Sequence, residues 1–197
     1  AEECFAAAER RRLLGLTINT RGLIAEDAGD LVEAIRCYEV AMEIATDSDS
    51  ATEMAYAQHD LGALHWKMGK PVIAIPLLRA AADAWTKQGH PMLRAKSEAV
   101  LGLCLLDAGT SPEQVVALAE GGVELLRTGE FVGEQPHGWL WSLHQLLLRT
   151  GIDGASDALA AARAEVLRQA ATISDPDRRR GFLERVPLNR LIMTAGD

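Results

Sequence analysis

Apolar residues recur along most of the chain at spacings of three and four, the period of a helix with one buried side. The segment that begins at Leu31 shows this clearly. Its apolar stripe contains Leu31, Ala34, Ile35, Tyr38, Ala41 and Met42. Runs in which Val, Ile, Thr and aromatic residues alternate with polar ones are nearly absent. The pattern therefore predicts an all-α fold.

Pairs of glycines interrupt the helical pattern at a fixed interval of forty residues. The pairs are Gly22 and Gly29, Gly62 and Gly69, and Gly102 and Gly109. Inside a helix, glycine costs about 1 kcal/mol relative to alanine, so its recurrence needs a reason. We predict that the first glycine of each pair lies where two helices cross closely. The second is predicted to end a helix with a positive φ.

A second repeated pattern follows the glycines in the first two units. It consists of an alanine, a large residue and another alanine, namely Ala34, Tyr38 and Ala41, then Ala74, Leu78 and Ala81. Each unit is therefore expected to form two helices, and a single unit cannot bury its apolar side alone. In the third unit, Val115, Ala119 and Gly122 take the corresponding places.

The repeats divide the whole chain into about ten predicted helices. Residues 1–10 are expected to form the second helix of a preceding unit, which suggests a fragment of a longer protein. Units then occupy 11–50, 51–90 and 91–130, a degenerate fourth unit occupies 131–173, and a C-terminal capping helix occupies 174–197.

This spacing of small, large and alanine positions resembles the tetratricopeptide repeat. The motif's Leu-Gly pair stands at Leu61-Gly62 and at Leu101-Gly102. The chain departs from the family in its period of forty residues, against about 34 in the common form. The long-period form resembles the repeat arrays of bacterial STAND-type signalling ATPases and of maltose-regulator-like transcription activators. The resemblance implies a right-handed α-solenoid of antiparallel helix pairs.

The resemblance also implies a binding surface, because ligands of this family usually meet the concave face lined by the first helix of each unit. The positions that correspond are Asn19, Leu23, Glu26, Tyr56, His59, Trp66, Lys67, Lys96, Leu103 and Asp107. Tyr56, His59 and Trp66 are expected to form an amphipathic cluster in the middle of the groove. Trp66 either anchors a partner or packs against a neighbouring unit, and the sequence leaves both alternatives open.

Composition and charge exclude several other classes of protein. The net charge of −8 argues against a nucleic-acid surface, which needs a clustered positive field. No apolar run approaches the ~20 residues of a membrane span. Cys4, Cys37 and Cys104 are too widely spread for a disulfide framework and fit free thiols in a reducing cytoplasm.

The sequence contains no recognisable catalytic or metal-binding motif. His59 and His65 fall on different sides of one predicted helix, and His137 and His144 lack a third ligand. We therefore expect neither catalysis nor a metal or cofactor. The predicted function is a cytoplasmic protein- or peptide-binding scaffold, a sensor or regulatory segment of a larger bacterial signalling or transcription-regulating protein. The alternatives are a small-molecule effector sensor and a module that self-assembles through the solenoid ends.

Overall fold

The computed structural model describes residues 2–129 and 136–196, with side chains from residue 9 onward. Within these residues the chain forms eleven α-helices and no strand. The helices are α1 (Glu2–Asp27), α2 (Leu31–Asp47), α3 (Ala51–Lys67), α4 (Pro71–Gln88), α5 (Pro91–Asp107), α6 (Pro112–Val115), α7 (Ala117–Thr128), α8 (Pro136–Thr150), α9 (Ala155–Ala171), α10 (Pro176–Glu184) and α11 (Pro187–Thr194).

Successive helices from α1 to α5 pack against each other as antiparallel neighbours, and the first helices of adjacent units also touch. α3 lies between α1 and α5 in this inner row, while α2 and α4 form the outer row. The fold is therefore an all-α solenoid of helix pairs, as the sequence predicts.

The forty-residue period comes from two equal halves, each a helix followed by a short turn. α2, α3 and α5 each have 17 residues. At Gly29 the backbone takes a φ of 82°, a conformation in which a side chain would be strained. Positive φ recurs twenty residues later at Asp49, and then at Gly69, Gly89, Gly109 and Gly129. Asp49 stands where the later units have glycine, which the sequence pattern did not reveal.

The first glycine of each pair makes room for a side chain of the facing helix. A Cβ on Gly22 would lie 2.5 Å from Cε1 of Tyr38, and one on Gly62 would lie 2.8 Å from Cγ of Leu78. Both facing side chains are fully buried. Ala34, Ala41, Ala74 and Ala81 are buried beside them. The helices of the first two units thus cross where the glycine spacing predicts.

The third unit differs from the expected single second helix, because the chain breaks at Val116 into α6 and α7. Gly102 faces Leu146 of α8, whose Cδ1 would lie 2.8 Å from a Cβ on that glycine. The physical reason is that Ala119, which takes the place of Tyr38 and Leu78 in the third unit, is too short to fill the space beside Gly102. Leu146 fills it from the following unit.

The ends of the chain also differ from expectation. Residues 2–10 are not a separate helix but the first part of α1, since no glycine or proline interrupts the chain between Glu2 and Arg12. The C-terminal capping segment is two helices rather than one, with Pro187 opening the second. Arg163 of α9 donates from Nε to the Ile192 carbonyl at 3.0 Å, which holds α11 against α9.

Candidate functional site on the first-helix face

The surface formed side by side by α1, α3 and α5, here called the first-helix face, carries most of the predicted site residues. Polar contacts cross it from helix to helix. Asn19 Nδ2 donates to Asp60 Oδ2 at 2.7 Å, and Lys67 Nζ donates to Glu26 Oε1 at 2.6 Å. Trp66 Nε1 donates to Asp107 Oδ2, also at 2.6 Å. The three pairs therefore contain five of the ten predicted residues, and their sixth member is Asp60, which the sequence prediction missed.

All three pairs are 41 residues apart, one more than the repeat period. Arg12 and Glu53 show the same separation, with 2.7 Å between Nη1 and Oε1. Adjacent units are thus displaced by one residue. A residue of one unit contacts the residue that comes directly after its equivalent position in the next unit. The sequence prediction missed Arg12 and Glu53, although complementary polar residues 41 apart would have identified them.

The centre of the first-helix face contains two buried ionisable groups. His59 Nδ1 lies 3.0 Å from Oγ of Ser97, itself fully buried. Burial lowers the pKa of His59 well below its ordinary value, and the positive charges of Lys96 and Lys67 lower it further. Burial also raises the pKa of the neighbouring Asp60, although Lys96 and the bond from Asn19 act in the opposite sense. The histidine is therefore neutral at pH 7.

Lys96 is half-buried beside these two groups. Among the described residues, no carboxylate lies within ion-pair distance of its ammonium group. Other cations on this face are paired, as Lys67 is with Glu26 and Arg12 with Glu53. On α1, Leu23 is exposed. The face thus keeps a half-buried cation that acts on Asp60 through space but has no carboxylate at ion-pair distance within the described part of the chain.

Three expectations about individual residues need correction. Leu103 does not line a groove, because α7 and α8 cover that side of α5 and leave the side chain in the core. Tyr56 packs edge-on against Trp85 of α4, with 4.9 Å between ring centres, and so does not join His59 and Trp66 in one cluster. Asn19 and His59 are almost completely covered by neighbouring helices rather than open to a groove.

Trp66 packs between neighbouring units, which is one of the two alternatives that the sequence left open. The half-buried ring contacts the apolar clusters on both sides of α5. Its partner Asp107 also forms an ion pair with Arg149 of α8, 2.7 Å between Oδ1 and Nη1. Trp66 and Asp107 therefore stabilise the packing of α3, α5 and α8 against one another.

The other ionisable side chains do not converge on a catalytic or metal centre. In the described ranges, no group of three or more His, Cys, Asp and Glu residues is placed to hold a metal ion. His144 Nδ1 lies 2.8 Å from the Ala155 carbonyl, and His137 is buried against α9. Burial raises the pKa of the Cys104 thiol to about 11. Cys37 is also buried, whereas the Cys4 side chain lies outside the described residues.

The burial of His59 leads to a specific prediction about how the stability of the fold depends on pH. An unfolded histidine has a pKa of about 6.5, whereas folded His59 resists protonation, so the unfolded state binds more protons below that pH. Stability is then lost as the pH falls from 7 toward 5.5. We expect His59→Gln to remove about 1 kcal/mol of this loss. Asp60 acts in the opposite direction, since a raised carboxyl pKa stabilises the fold on acidification.

The measurement is urea unfolding of wild type and His59→Gln at both pH values. His90→Gln, at an exposed position, is the matched control and should retain the pH dependence of the wild type. A His59→Gln variant that loses as much stability on acidification as the wild type would contradict the prediction.

A comparison with known families adds one match. Residues 13–87 match the family model of the tetratricopeptide repeat. The match begins within α1 and ends within α4, so it covers the first two helix pairs and less than half of the chain. A comparison with curated proteins finds no match. In the part that the structure describes, no helix combines the length and the apolar character needed to cross a bilayer.

Proposed function

We propose that the chain is a noncatalytic scaffold that binds a protein or peptide on its first-helix face. We further propose that it acts as a sensor or regulatory segment of a larger cytoplasmic signalling or transcription-regulating protein. The similarity of residues 13–87 to tetratricopeptide repeats supports the scaffold, since such repeats commonly mediate protein–protein interactions.

The observation that carries the binding surface is the environment of Lys96. A half-buried ammonium group next to a neutral histidine, with no carboxylate at ion-pair distance in the described ranges, is suited to an acidic group of a partner. A charge-assisted bond at such a site is stronger than one at an exposed position. The bound segment is therefore expected to carry an acidic residue.

The length of the segment follows from the spacing of the helices. Leu16, Tyr56 and Lys96 occupy equivalent positions in three units, and Leu16 is exposed. Adjacent packed helices are about 8–10 Å apart, so Leu16 and Lys96 lie roughly two such spacings apart. An extended peptide advances about 3.3 Å per residue. About six residues would therefore span the face, with an apolar residue near α1 and the acidic residue near α5.

A small-molecule effector fits the observed surface less well. Two open depressions of about 290 and 370 Å³ lie away from the first-helix face, one lined by α7 and Ile152 and the other by α4 and the start of α3. Specific small-molecule sites enclose most of their ligand's surface. Depressions of this kind do not favour that alternative.

The proposal can be tested by selecting peptides from a random displayed library on the purified chain. Binding of the selected peptides is then measured by fluorescence anisotropy. We expect the selected sequences to contain an Asp or Glu. Lys96→Glu should weaken their binding at least tenfold, and Lys96→Gln should weaken it less. Leu23→Glu should also weaken binding, because Leu23 lies on the α1 part of the face.

The matched control is Lys87→Glu, which makes the same charge change at an exposed position on α4. It should leave peptide affinity unchanged. Trp66 and Tyr56 are unsuitable for this test because both pack in the structure. If the selected peptides bound Lys96→Glu and wild type equally, the first-helix face would not be the binding surface.

A further inference from the structure

A buried amide and a buried carboxyl group meet between α1 and α3 on the first-helix face. Asn19 Nδ2 donates to Asp60 Oδ2 at 2.7 Å, and the two side chains are 6% and 9% exposed. The amide oxygen of Asn19, Oδ1, is also buried, and it has no hydrogen-bond partner among the described residues. Most buried polar atoms in folded proteins have a partner, because an unpaired one destabilises the fold. The Asn19 oxygen therefore needs a donor.

A proton on Asp60 would supply this donor. An ionised carboxylate only accepts hydrogen bonds, whereas a protonated one also donates through its O–H group. The amide of Asn19 and the carboxyl group of Asp60 are both planar, and each carries two polar atoms side by side. While Nδ2 of Asn19 donates to Oδ2 of Asp60, a proton on Oδ1 of Asp60 can donate to Oδ1 of Asn19. The acid and the amide are then joined by two hydrogen bonds, and the buried oxygen has its partner.

The carboxyl group has titratable neighbours on four helices. Around Asp60 these are Glu26 of α1, Tyr38 of α2, His59 and Lys67 of α3, and Lys96 of α5. Glu26 and Lys67 form an ion pair with each other at 2.6 Å. Burial raises the pKa of Tyr38 and lowers that of His59, so both are uncharged at pH 7. Burial raises the pKa of the carboxyl group, and Lys96 lowers it. Lys96 is therefore the neighbour whose effect a bound partner can change.

We propose that binding of an acidic group at Lys96 is coupled to the uptake of one proton by Asp60, which shares that proton with Asn19. The inference rests on the proposed binding of an acidic segment at Lys96. An arriving carboxylate neutralises the ammonium group and places a second negative charge near Asp60, and both changes favour the protonated form. The proton comes from the buffer, and it ends on Oδ1 of Asp60.

The coupling acts in both directions, because linkage between two binding events is reciprocal. A protonated Asp60 leaves Lys96 without a negative charge beside it, so that the ammonium group attracts an acidic partner more strongly. Affinity should therefore rise as the pH falls from 8 to 6, by at most about tenfold per pH unit for one proton. The acidic residues of a peptide have pKa values of about 4 and stay ionised over this range.

Isothermal titration calorimetry of the whole 197-residue chain tests the coupling. The probe is a peptide from the displayed library whose affinity is lost in Lys96→Glu. For wild type, we expect the dissociation constant to fall about fivefold or more between pH 8 and pH 6. Titrations at pH 7 in phosphate and in Tris, which differ in their enthalpies of ionisation, count the protons taken up. This count needs no variant of Asp60.

Two variants identify the group that takes up the proton. Asp60→Asn retains the hydrogen bonds of the protonated form, because its amide can donate to Oδ1 of Asn19 and accept from Nδ2. It should bind at pH 8 as tightly as wild type binds at pH 6, with no proton uptake. His59→Gln is the matched control, since it removes the adjacent buried titratable side chain. It should keep the pH dependence of wild type. Circular dichroism confirms that both variants are folded.

The possible failures can be told apart. Binding that requires Lys96 but takes up no proton in wild type would overturn the coupling and leave the proposed function intact. Proton uptake that persists in Asp60→Asn and is lost in His59→Gln would assign the proton to the histidine and also overturn the coupling. If no displayed peptide binds through Lys96, the proposed binding surface is wrong, and the coupling is wrong with it.

Discussion

Gly22→Leu is expected to lower the free energy of unfolding by about 3 kcal/mol, and Gly22→Ala by about 1–3 kcal/mol. A Cβ at this position would lie 2.5 Å from Cε1 and 2.8 Å from Cδ1 of Tyr38, far inside normal contact. The ring has little freedom to move aside. It is fully buried, and its hydroxyl donates to Glu26 Oε2 at 3.0 Å.

The chain offers a matched control seven residues away. Gly29→Ala should cost only about 1 kcal/mol, because nothing lies within 4 Å of a Cβ there and the penalty is confined to the positive φ of 82°. Urea unfolding followed by circular dichroism gives both values, provided that the urea dependence stays the same. A Gly22→Leu variant as stable as Gly29→Ala would show that α1 and α2 do not cross at Gly22.

The parts of the fold that follow local, repeated signals could be predicted from the sequence. Gly22 and Gly62 mark helix crossings because a glycine and its facing large residue recur sixteen positions apart in both units. Gly29 and Gly69 end helices because positive φ is a property of a single residue. These features indicate helix pairs without any knowledge of distant contacts.

The wrong predictions concern contacts between units, because the spacing of the glycines carries no information about how neighbouring units pack. Leu103 occupies a first-helix position yet lies in the core, since α7 and α8 close over α5 in the third unit. The offset of 41 rather than forty residues decides which side chains meet across α1 and α3, and it buries Asn19 against Asp60. A sequence repeat gives equivalent positions, but the displacement between neighbouring units comes from packing.

On the outer surface of α1, too, the sequence pattern and the observed packing differ. Its periodicity indicates a buried seam, and on α3 and α5 the equivalent seam is buried. On α1 it is exposed, so the pattern alone would assign Leu13 and Ile24 to a core although both are accessible to solvent in the described structure.

The second large effect is expected at Leu146, which connects α8 to α5. Leu146→Ala should cost about 2–5 kcal/mol, since the side chain is fully buried and its removal leaves a cavity beside Gly102. The same unfolding measurement by circular dichroism applies. A decrease in the free energy of unfolding below 1 kcal/mol would mean that the Leu146 side chain does not fill the space beside Gly102.

A double-mutant cycle would establish that Leu146 and Gly102 contact each other. All three atoms nearest to a Cβ on Gly102 belong to Leu146, at 2.8, 2.9 and 3.5 Å. Gly102→Ala should therefore destabilise the wild type. In the Leu146→Ala background it should instead stabilise by up to about 1 kcal/mol, the helix preference of alanine over glycine. Leu143→Ala is the control, because Leu143 faces Gly122 and its removal leaves the clash at Gly102 in place. Equal effects of Gly102→Ala in wild type, Leu146→Ala and Leu143→Ala would mean that some other residue covers this part of α5. The conclusion that Leu146 joins the third and fourth units would then be wrong.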